Sequence, residues 1–216
     1  MKTDLLRERW NNFFQPFELK DCVEKKCLDS AYEDLVNNYR EEYRYYHNLE
    51  HICNCFRMLD SVADAVDDQF SIEAAIWFHD VIYNPMCKDN EEQSAIYAQV
   101  FLNSIQLNKD AVAKIVRLIE LTKHSEQPIT DDEKYLLDID VSILGAEADT
   151  YWDYEKRIRK EYSQVPESEY KVGRTKVLQH FLDSQYIFYT DYFRDRLEFN
   201  ARENISKALS RLQSRL

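Results

Sequence analysis

The sequence has 216 residues and a formal net charge of −12 at pH 7, with only two glycines and four prolines. A chain of this length can bury a substantial core as one domain, and so few turn-forming residues argue against a β-sandwich or a Gly-rich phosphate loop. The acidic surface argues against a polymeric nucleic acid as partner, whereas a bound cation could still attract a small anion.

The five cysteines include no Cys-x-x-Cys pair, which argues against a zinc ribbon or a disulfide framework. The sequence also has no run of about 18 apolar residues, which a membrane span would require. The N-terminal segment has no long apolar stretch after its charged residues, as a secretory signal would have. These features predict a cytoplasmic protein with free thiols and no membrane partner.

Apolar residues recur at three- and four-residue spacing in nearly every segment, which predicts amphipathic helices along the whole chain. The predicted helices cover residues 3–14, 21–38, 48–67, 71–83, 89–106, 109–123, 131–144, 147–163, 168–187 and 190–214. The predicted fold is therefore all-α: a single helical bundle over residues 1–216. Its core would span about 40–150, with an N-terminal helical segment before it and a helical extension over 151–216.

Residues that begin or end helices support several of these boundaries. Ser71 is the expected N-cap of the fourth helix, and Thr130 with Glu133 forms a capping box ahead of the seventh. Asn84-Pro85 and Gly145 are expected to end helices.

His79 and Asp80 interrupt the otherwise apolar helix SIEAAIWFHDVIY. An unpaired charge is costly to bury, so these groups need a compensating partner. Adjacent helical residues point about 100° apart, and the two side chains could therefore bind one ion beside the helix. The alternative is a hydrogen-bonded pair within the core.

Two further apolar segments carry residues of the same chemical types. YRYYHNLEHI places His47 and His51 four residues apart, on one helical face if the helix begins near Asn48. YLLDIDVSILG places Asp138 and Asp140 among apolar residues. Together with His79 and Asp80, these segments supply the mixed nitrogen and oxygen ligands typical of transition-metal sites, and not of calcium alone.

Four ordered segments, RYYHNLEHI, AIWFHDVIYNP, DNEEQSA and LLDIDVSILG, span residues 43–145. In this order they resemble the HD superfamily of metal-dependent phosphohydrolases, and more narrowly the predicted HD phosphohydrolases of bacteria. The resemblance implies an HD-domain helical core. It also implies a divalent cofactor, which could be Mn, Fe, Co, Ni, Mg or Zn.

The resemblance implies four metal ligands, with Asp138 left as a partner outside the ligand set. The ligands would be His51, His79, Asp80 and Asp140.

Glu91 would act with Asp80 as a catalytic residue, as the general base or the group that orients water. Alternatively, Glu91 and Glu92 are first-turn acids that interact with the helix dipole. Substrate contacts are expected from His47, Arg44, Tyr83, Lys88, Asn90 and His124. Arg44 and Lys88 could instead be ordinary surface charges, His47 could cap its helix, and His124 could belong to a second metal site.

The resemblance implies hydrolysis of a phosphate ester or anhydride in a small molecule, with a nucleotide as the expected substrate. Two alternatives stay open at this point. One is an HD-type di-iron oxygenase, which would need ligands beyond the four. The other is a non-catalytic, metal-binding regulatory module. Aromatic residues of the C-terminal helices could also form a homodimer interface.

Overall fold

A computed structural model describes residues 2–15 and 22–213 of the chain. In this part the protein forms ten α-helices and two short 3-10 helices and contains no strand, which confirms the all-α prediction. The α-helices are α1 Lys2–Phe14, α2 Cys22–Tyr39, α3 Leu49–Ser61, α4 Gln69–Phe78, α5 Asn90–Ser104, α6 Lys109–Leu121, α7 Asp131–Asp140, α8 Ala148–Glu161, α9 Glu167–Asp183 and α10 Asp191–Gln213. The 3-10 helices are Ala63–Ala65 and Val141–Gly145.

Each predicted helix has an observed counterpart, and most boundaries agree within two or three residues. Residue 21, the predicted start of the second helix, and residue 214, the predicted end of the last, lie outside the described residues. None of the described helices is both long enough and apolar enough to cross a lipid bilayer.

The chain divides into two compact units, Met1–Gln127 and Pro128–Leu216. This boundary falls inside the predicted core of 40–150, so His51, His79 and Asp80 belong to the first unit and Asp140 belongs to the second. The single-domain interpretation stays a prediction, and each unit is described separately below.

Helix α4 is the central helix of the first unit. It packs against α3, α5 and α6, and all eight residues from Ser71 to Phe78 are buried. Six of these eight residues are apolar, and a helix with apolar residues on every side is stable only when other elements surround it. The Trp77 ring of α4 packs against α1 and α3: its centroid lies 5.3 Å from that of Trp10 and 4.6 Å from that of Phe56. The C-terminal end of α4 leads directly into His79 and Asp80.

The start and the end of α4 both differ from the sequence prediction. Asp68, and not Ser71, is the N-cap: its Oδ1 accepts the Ser71 N–H at 3.0 Å and its Oδ2 accepts the Ser71 hydroxyl at 2.7 Å. Ser71 is therefore the third helical residue. The helix ends at Phe78, well before the predicted stop at Asn84-Pro85.

In the second unit, α10 packs against α9 and against the 3-10 helix Val141–Gly145. The capping box of Thr130 and Glu133 is present at the start of α7, as predicted. The predicted helix 131–144 changes to 3-10 geometry after Asp140. Asn204 of α10 holds this segment, because its buried amide donates to the carbonyl oxygens of Leu144 at 3.0 Å and Ala146 at 2.9 Å.

Gly145 ends the 3-10 helix for a reason other than the one predicted. The described glycines have no positive φ, so Gly145 is not a left-handed cap. Instead, a Cβ added at Gly145 would lie 2.5 Å from Leu197 Cβ and 2.8 Å from the Leu197 carbonyl oxygen. Because Gly145 has no side chain, the backbone of α10 at Leu197 can lie directly against it.

We expect Gly145→Ala to lower the free energy of unfolding by about 3 kcal/mol, because the extra methyl overlaps backbone atoms that cannot rotate away. Gly173 in α9 is a matched control, since a Cβ there meets nothing within 4 Å. Gly173→Ala should raise the stability by about 0.5–1 kcal/mol through helix propensity. Chemical denaturation measures both changes, and equal effects of the two substitutions would contradict the close-packing explanation.

Candidate metal centre

The first histidine pair lies at the start of α3. Asn48 is the N-cap, and its side-chain oxygen accepts the Glu50 N–H at 2.8 Å. The helix therefore begins near Asn48, as the sequence predicts, and its first turn carries His51. His47 precedes the helix, yet its ring centroid lies 6.1 Å from that of His51.

The end of α4 fixes the orientation of His79. His79 is the C-cap residue, and its Nδ1 lies 3.1 Å from the Ile76 carbonyl oxygen. Nδ1 must donate in this bond, because a carbonyl oxygen only accepts. The Nε2 atom of the neutral ring consequently carries a lone pair, which is the state that a metal ligand requires.

The side chains of His51, His79 and Asp80 converge on one point of the first unit. The two Nε2 atoms lie 3.1 Å apart. Asp80 Oδ2 lies 3.2 Å from His79 Nε2 and 3.7 Å from His51 Nε2. Two atoms that each bind an ion at about 2.1 Å, at angles of 90–120°, are separated by about 3.0–3.6 Å. The spacing therefore fits one transition-metal ion, and this His/Asp cluster could hold one.

The cluster lies almost entirely out of solvent. His51 is 3% exposed and His79 is 2% exposed. Burial by itself would raise the pKa of Asp80, but in the metal-free protein the positive charge that His79 and His47 carry when protonated outweighs it and holds the pKa of this carboxyl well below its usual range. Asp80 is therefore an anionic ligand at neutral pH. An anion beside two imidazoles gives a donor set suited to a divalent transition metal.

His47 and Tyr83 form one side of the cluster. Their ring centroids lie 4.4 Å apart with an interplanar angle of 31°, and Tyr83 is buried. The charge of His47 is one of the influences that lower the pKa of Asp80. This position is compatible with the predicted substrate contacts of His47 and Tyr83, which stay predictions.

Arg44, expected to hold substrate phosphates, and Asn90, expected to line the pocket, both make hydrogen bonds to backbone groups, and their substrate contacts stay predictions. The guanidinium of Arg44 is buried and donates to the carbonyl oxygens of Asp80 and Val81. Asn90 Oδ1 accepts the Asn84 N–H at 2.9 Å, and its Nδ2 donates to the Asn84 carbonyl oxygen at 3.0 Å. Both side chains therefore shape the segment after α4.

Glu91 and Glu92 lie in the first turn of α5 and have different surroundings. Burial raises the pKa of Glu91, and the negative charge of Asp80 raises it further. Glu92 instead forms an ion pair with Lys123, which lowers its pKa. Of the two acids, Glu91 is the one whose pKa responds to the charge of Asp80, and its catalytic role stays a prediction.

Lys88 and His124 lie in connecting segments of the first unit. Lys88 is exposed between α4 and α5. His124 follows α6, is half-buried and has a positive φ of 54°, a conformation unusual for a residue with a side chain. Their assignments to substrate stay predictions, as does a second metal at His124.

Asp138 and Asp140 belong to the second unit and have different environments there. Asp138 is fully buried, and its carboxylate accepts the N–H groups of Tyr189 at 2.7 Å and Thr190 at 2.8 Å, and the Thr190 hydroxyl at 2.6 Å. Burial raises the pKa of Asp138 to about 6, although these donors favour the charged form. Asp138 therefore anchors the turn before α10. Asp140 is half-buried at the end of α7, and its assignment as a ligand stays a prediction.

The sequence analysis missed Tyr39 and Tyr43, which precede the first histidine motif. The Tyr39 hydroxyl donates to the Trp77 carbonyl oxygen at 3.1 Å, and the Tyr43 hydroxyl donates to the Tyr83 carbonyl oxygen at 3.0 Å. The only signal in the sequence is a dense group of tyrosine and arginine donors directly before His47.

Comparison of the chain with known protein families, curated proteins and solved structures gives no significant match. The HD resemblance consequently rests on the four sequence segments, and functional inference rests on those segments and on the site.

Proposed function

We propose that this protein is a metal-dependent hydrolase of phosphate esters or anhydrides in small molecules, with a nucleotide as the expected substrate class. The observation that carries the proposal is the convergence of two buried imidazoles on one carboxylate, with 3.1 Å between the two Nε2 atoms. Structural hydrogen bonding alone does not require two histidine rings to meet at one carboxylate.

The residues that would hold the ion are His51, His79 and Asp80, and the sequence resemblance adds Asp140. When bound, a divalent ion of this kind lowers the pKa of a water molecule toward neutrality and polarises a phosphoryl oxygen. The hydrogen bond from His79 Nδ1 to the Ile76 carbonyl directs the Nε2 lone pair toward the site. Asp80 supplies the anionic oxygen.

Glu91 is the proposed general base. Its carboxyl is partly buried near Asp80, which raises its pKa and makes it a better proton acceptor than an ordinary exposed glutamate. His47, held against the Tyr83 ring, is the proposed substrate contact. The charge of −12 supports a compact substrate over a polymeric nucleic acid, because a polyanion would be repelled by most of the surface.

Hydrolysis of nucleoside monophosphates, triphosphates and cyclic nucleotides, followed by chromatography of the nucleoside and nucleotide products, tests this proposal. Protein stripped of metal should be inactive, and Mn²⁺, Co²⁺, Ni²⁺, Mg²⁺ or Zn²⁺ should restore turnover of at least one substrate. Stoichiometric metal without turnover of any phosphorylated compound would favour a regulatory module. Two irons per chain with oxygen-dependent turnover would favour an oxygenase.

In the same assay, we expect Glu91→Gln to lower kcat by about 10²- to 10⁴-fold with unchanged metal content, because it removes the proton acceptor and leaves the ligands. Glu92→Gln is the matched control on the adjacent position, where the carboxylate pairs with Lys123. Its kcat should stay within a few-fold of the wild-type value. Equal kcat values for the two variants would exclude Glu91 as the base.

A further inference from the structure

The backbone after α4 depends on side chains for its hydrogen bonds. The last carbonyl groups of a helix have no partner within the helix, and buried carbonyls need one. In this segment the Trp77 and Tyr83 carbonyls accept from the hydroxyls of Tyr39 and Tyr43. The Asp80 and Val81 carbonyls accept from Arg44. Residues 39–44, which we call the 39–44 segment, therefore provide the partners of four carbonyls around the proposed ligands.

Arg44 makes the most extensive contacts of the 39–44 segment. Its side chain is only 1% exposed. Its Nη1 atom donates to the Asp80 carbonyl at 2.5 Å and to the His47 carbonyl at 3.3 Å. Its Nη2 atom donates to the Val81 carbonyl at 2.9 Å. Nε donates to Glu41 at 2.9 Å. This guanidinium joins the segment that carries His47 to the segment that carries Asp80.

The contacts of Arg44 matter because Asp80 lies beyond the regular helix. Helix α4 ends at Phe78, so the intrahelical ladder does not fix the backbone orientation of Asp80. The rings of Tyr39 and Tyr83 restrict Arg44 in turn, since its guanidinium carbon lies 5.3 Å and 5.5 Å from their centroids. A planar guanidinium can bond two successive carbonyls, whereas a lysine ammonium cannot reproduce this fork.

We propose that Arg44 is a positioning residue of the metal centre: by holding the Asp80 and Val81 carbonyls, it sets the direction of the Asp80 carboxylate. This inference rests on the proposed function for its metal. Residues outside the ligand set that orient ligands typically contribute 10- to 100-fold to metal affinity.

Co²⁺ titration of metal-free protein, followed by visible absorption, tests the proposal. We expect Arg44→Met to weaken Co²⁺ binding about 10- to 100-fold and to alter the ligand-field spectrum, because the carboxylate is no longer held in place. Arg44→Lys should recover part of the affinity, and it provides the same comparison if Arg44→Met does not fold.

Arg9→Met is the matched control. Arg9 also lies in the first unit and also holds α4, through two bonds of 2.9 Å to Glu73, and it pairs with Asp60 of α3. Its loss should lower stability and leave Co²⁺ affinity and spectrum unchanged. An Arg44 variant that matches wild type in both readouts would overturn the proposal, and so would equal losses in the Arg44 and Arg9 variants.

Amide hydrogen exchange of metal-free protein separates this inference from the proposed function. Arg44→Met should accelerate exchange selectively at residues 79–83, relative to Arg9→Met. If wild type binds no Co²⁺, the metal-dependent function fails, and the exchange result alone decides whether Arg44 orders the Asp80 segment. Unchanged exchange at residues 79–83 would refute the positioning role.

Discussion

Asp80→Ala is expected to abolish both metal binding and hydrolysis while the helical content persists. Asp80 supplies the anionic oxygen beside both Nε2 atoms. Its substitution should therefore lower metal affinity by more than the roughly 10- to 100-fold that is typical of a residue outside the ligand set. The fold should survive because α4 ends before Asp80 and its eight consecutive buried residues are unchanged. Metal analysis, a substrate hydrolysis assay and circular dichroism measure the three properties.

Asp64→Ala is the control for this experiment, because Asp64 is an exposed acid of the same unit. It should retain wild-type metal content and turnover. Equal metal content in wild type and Asp80→Ala would show that the ion, if present, binds elsewhere.

Asp140→Asn is expected to reduce metal content and activity severely with little loss of stability, whereas Asp138→Asn should do the opposite. The Asp138 carboxylate accepts three hydrogen bonds in the buried turn before α10. An amide would oppose at least one of these donors, at a cost of about 2–4 kcal/mol in the free energy of unfolding. Denaturant unfolding with metal analysis on the same samples separates the two roles.

This comparison tests the proposed ligand that belongs to the second unit. Full metal content in Asp140→Asn would remove Asp140 from the site and leave a centre of two histidines and one acid. Loss of metal in Asp138→Asn at temperatures where this variant is fully folded would instead identify Asp138 as the ligand.

The helices could be predicted because their signal is local. Apolar periodicity predicted each of the ten described helices, and the capping box of Thr130 and Glu133 was visible as a short motif. The end of α4 could not be predicted this way. The apolar pattern continues through residues 81–83, but the chain leaves the helix where Tyr39, Tyr43 and Arg44 bond its carbonyls. These partners lie almost 40 residues away in sequence.

The residues of the site could be predicted more successfully than the groups to which they bond. Polar residues within apolar segments identified His51, His79 and Asp80, and the structure brings them together. Arg44 and Asn90 were expected as substrate contacts beside these motifs, and nothing in the sequence indicated the backbone groups that both of them bond. Gly145 is a similar case, since its close neighbour Leu197 lies 52 positions later. A sequence shows that a donor exists, but the acceptor depends on tertiary packing.

Anomalous X-ray diffraction from crystals of the Mn²⁺- or Co²⁺-loaded protein tests the central claim most directly. We expect one strong anomalous-difference peak about 2.1 Å from the Nε2 atoms of both His51 and His79, next to an Asp80 oxygen. A loaded crystal with no peak there, in which the two imidazoles bond only to each other, would contradict a metal centre in this protein.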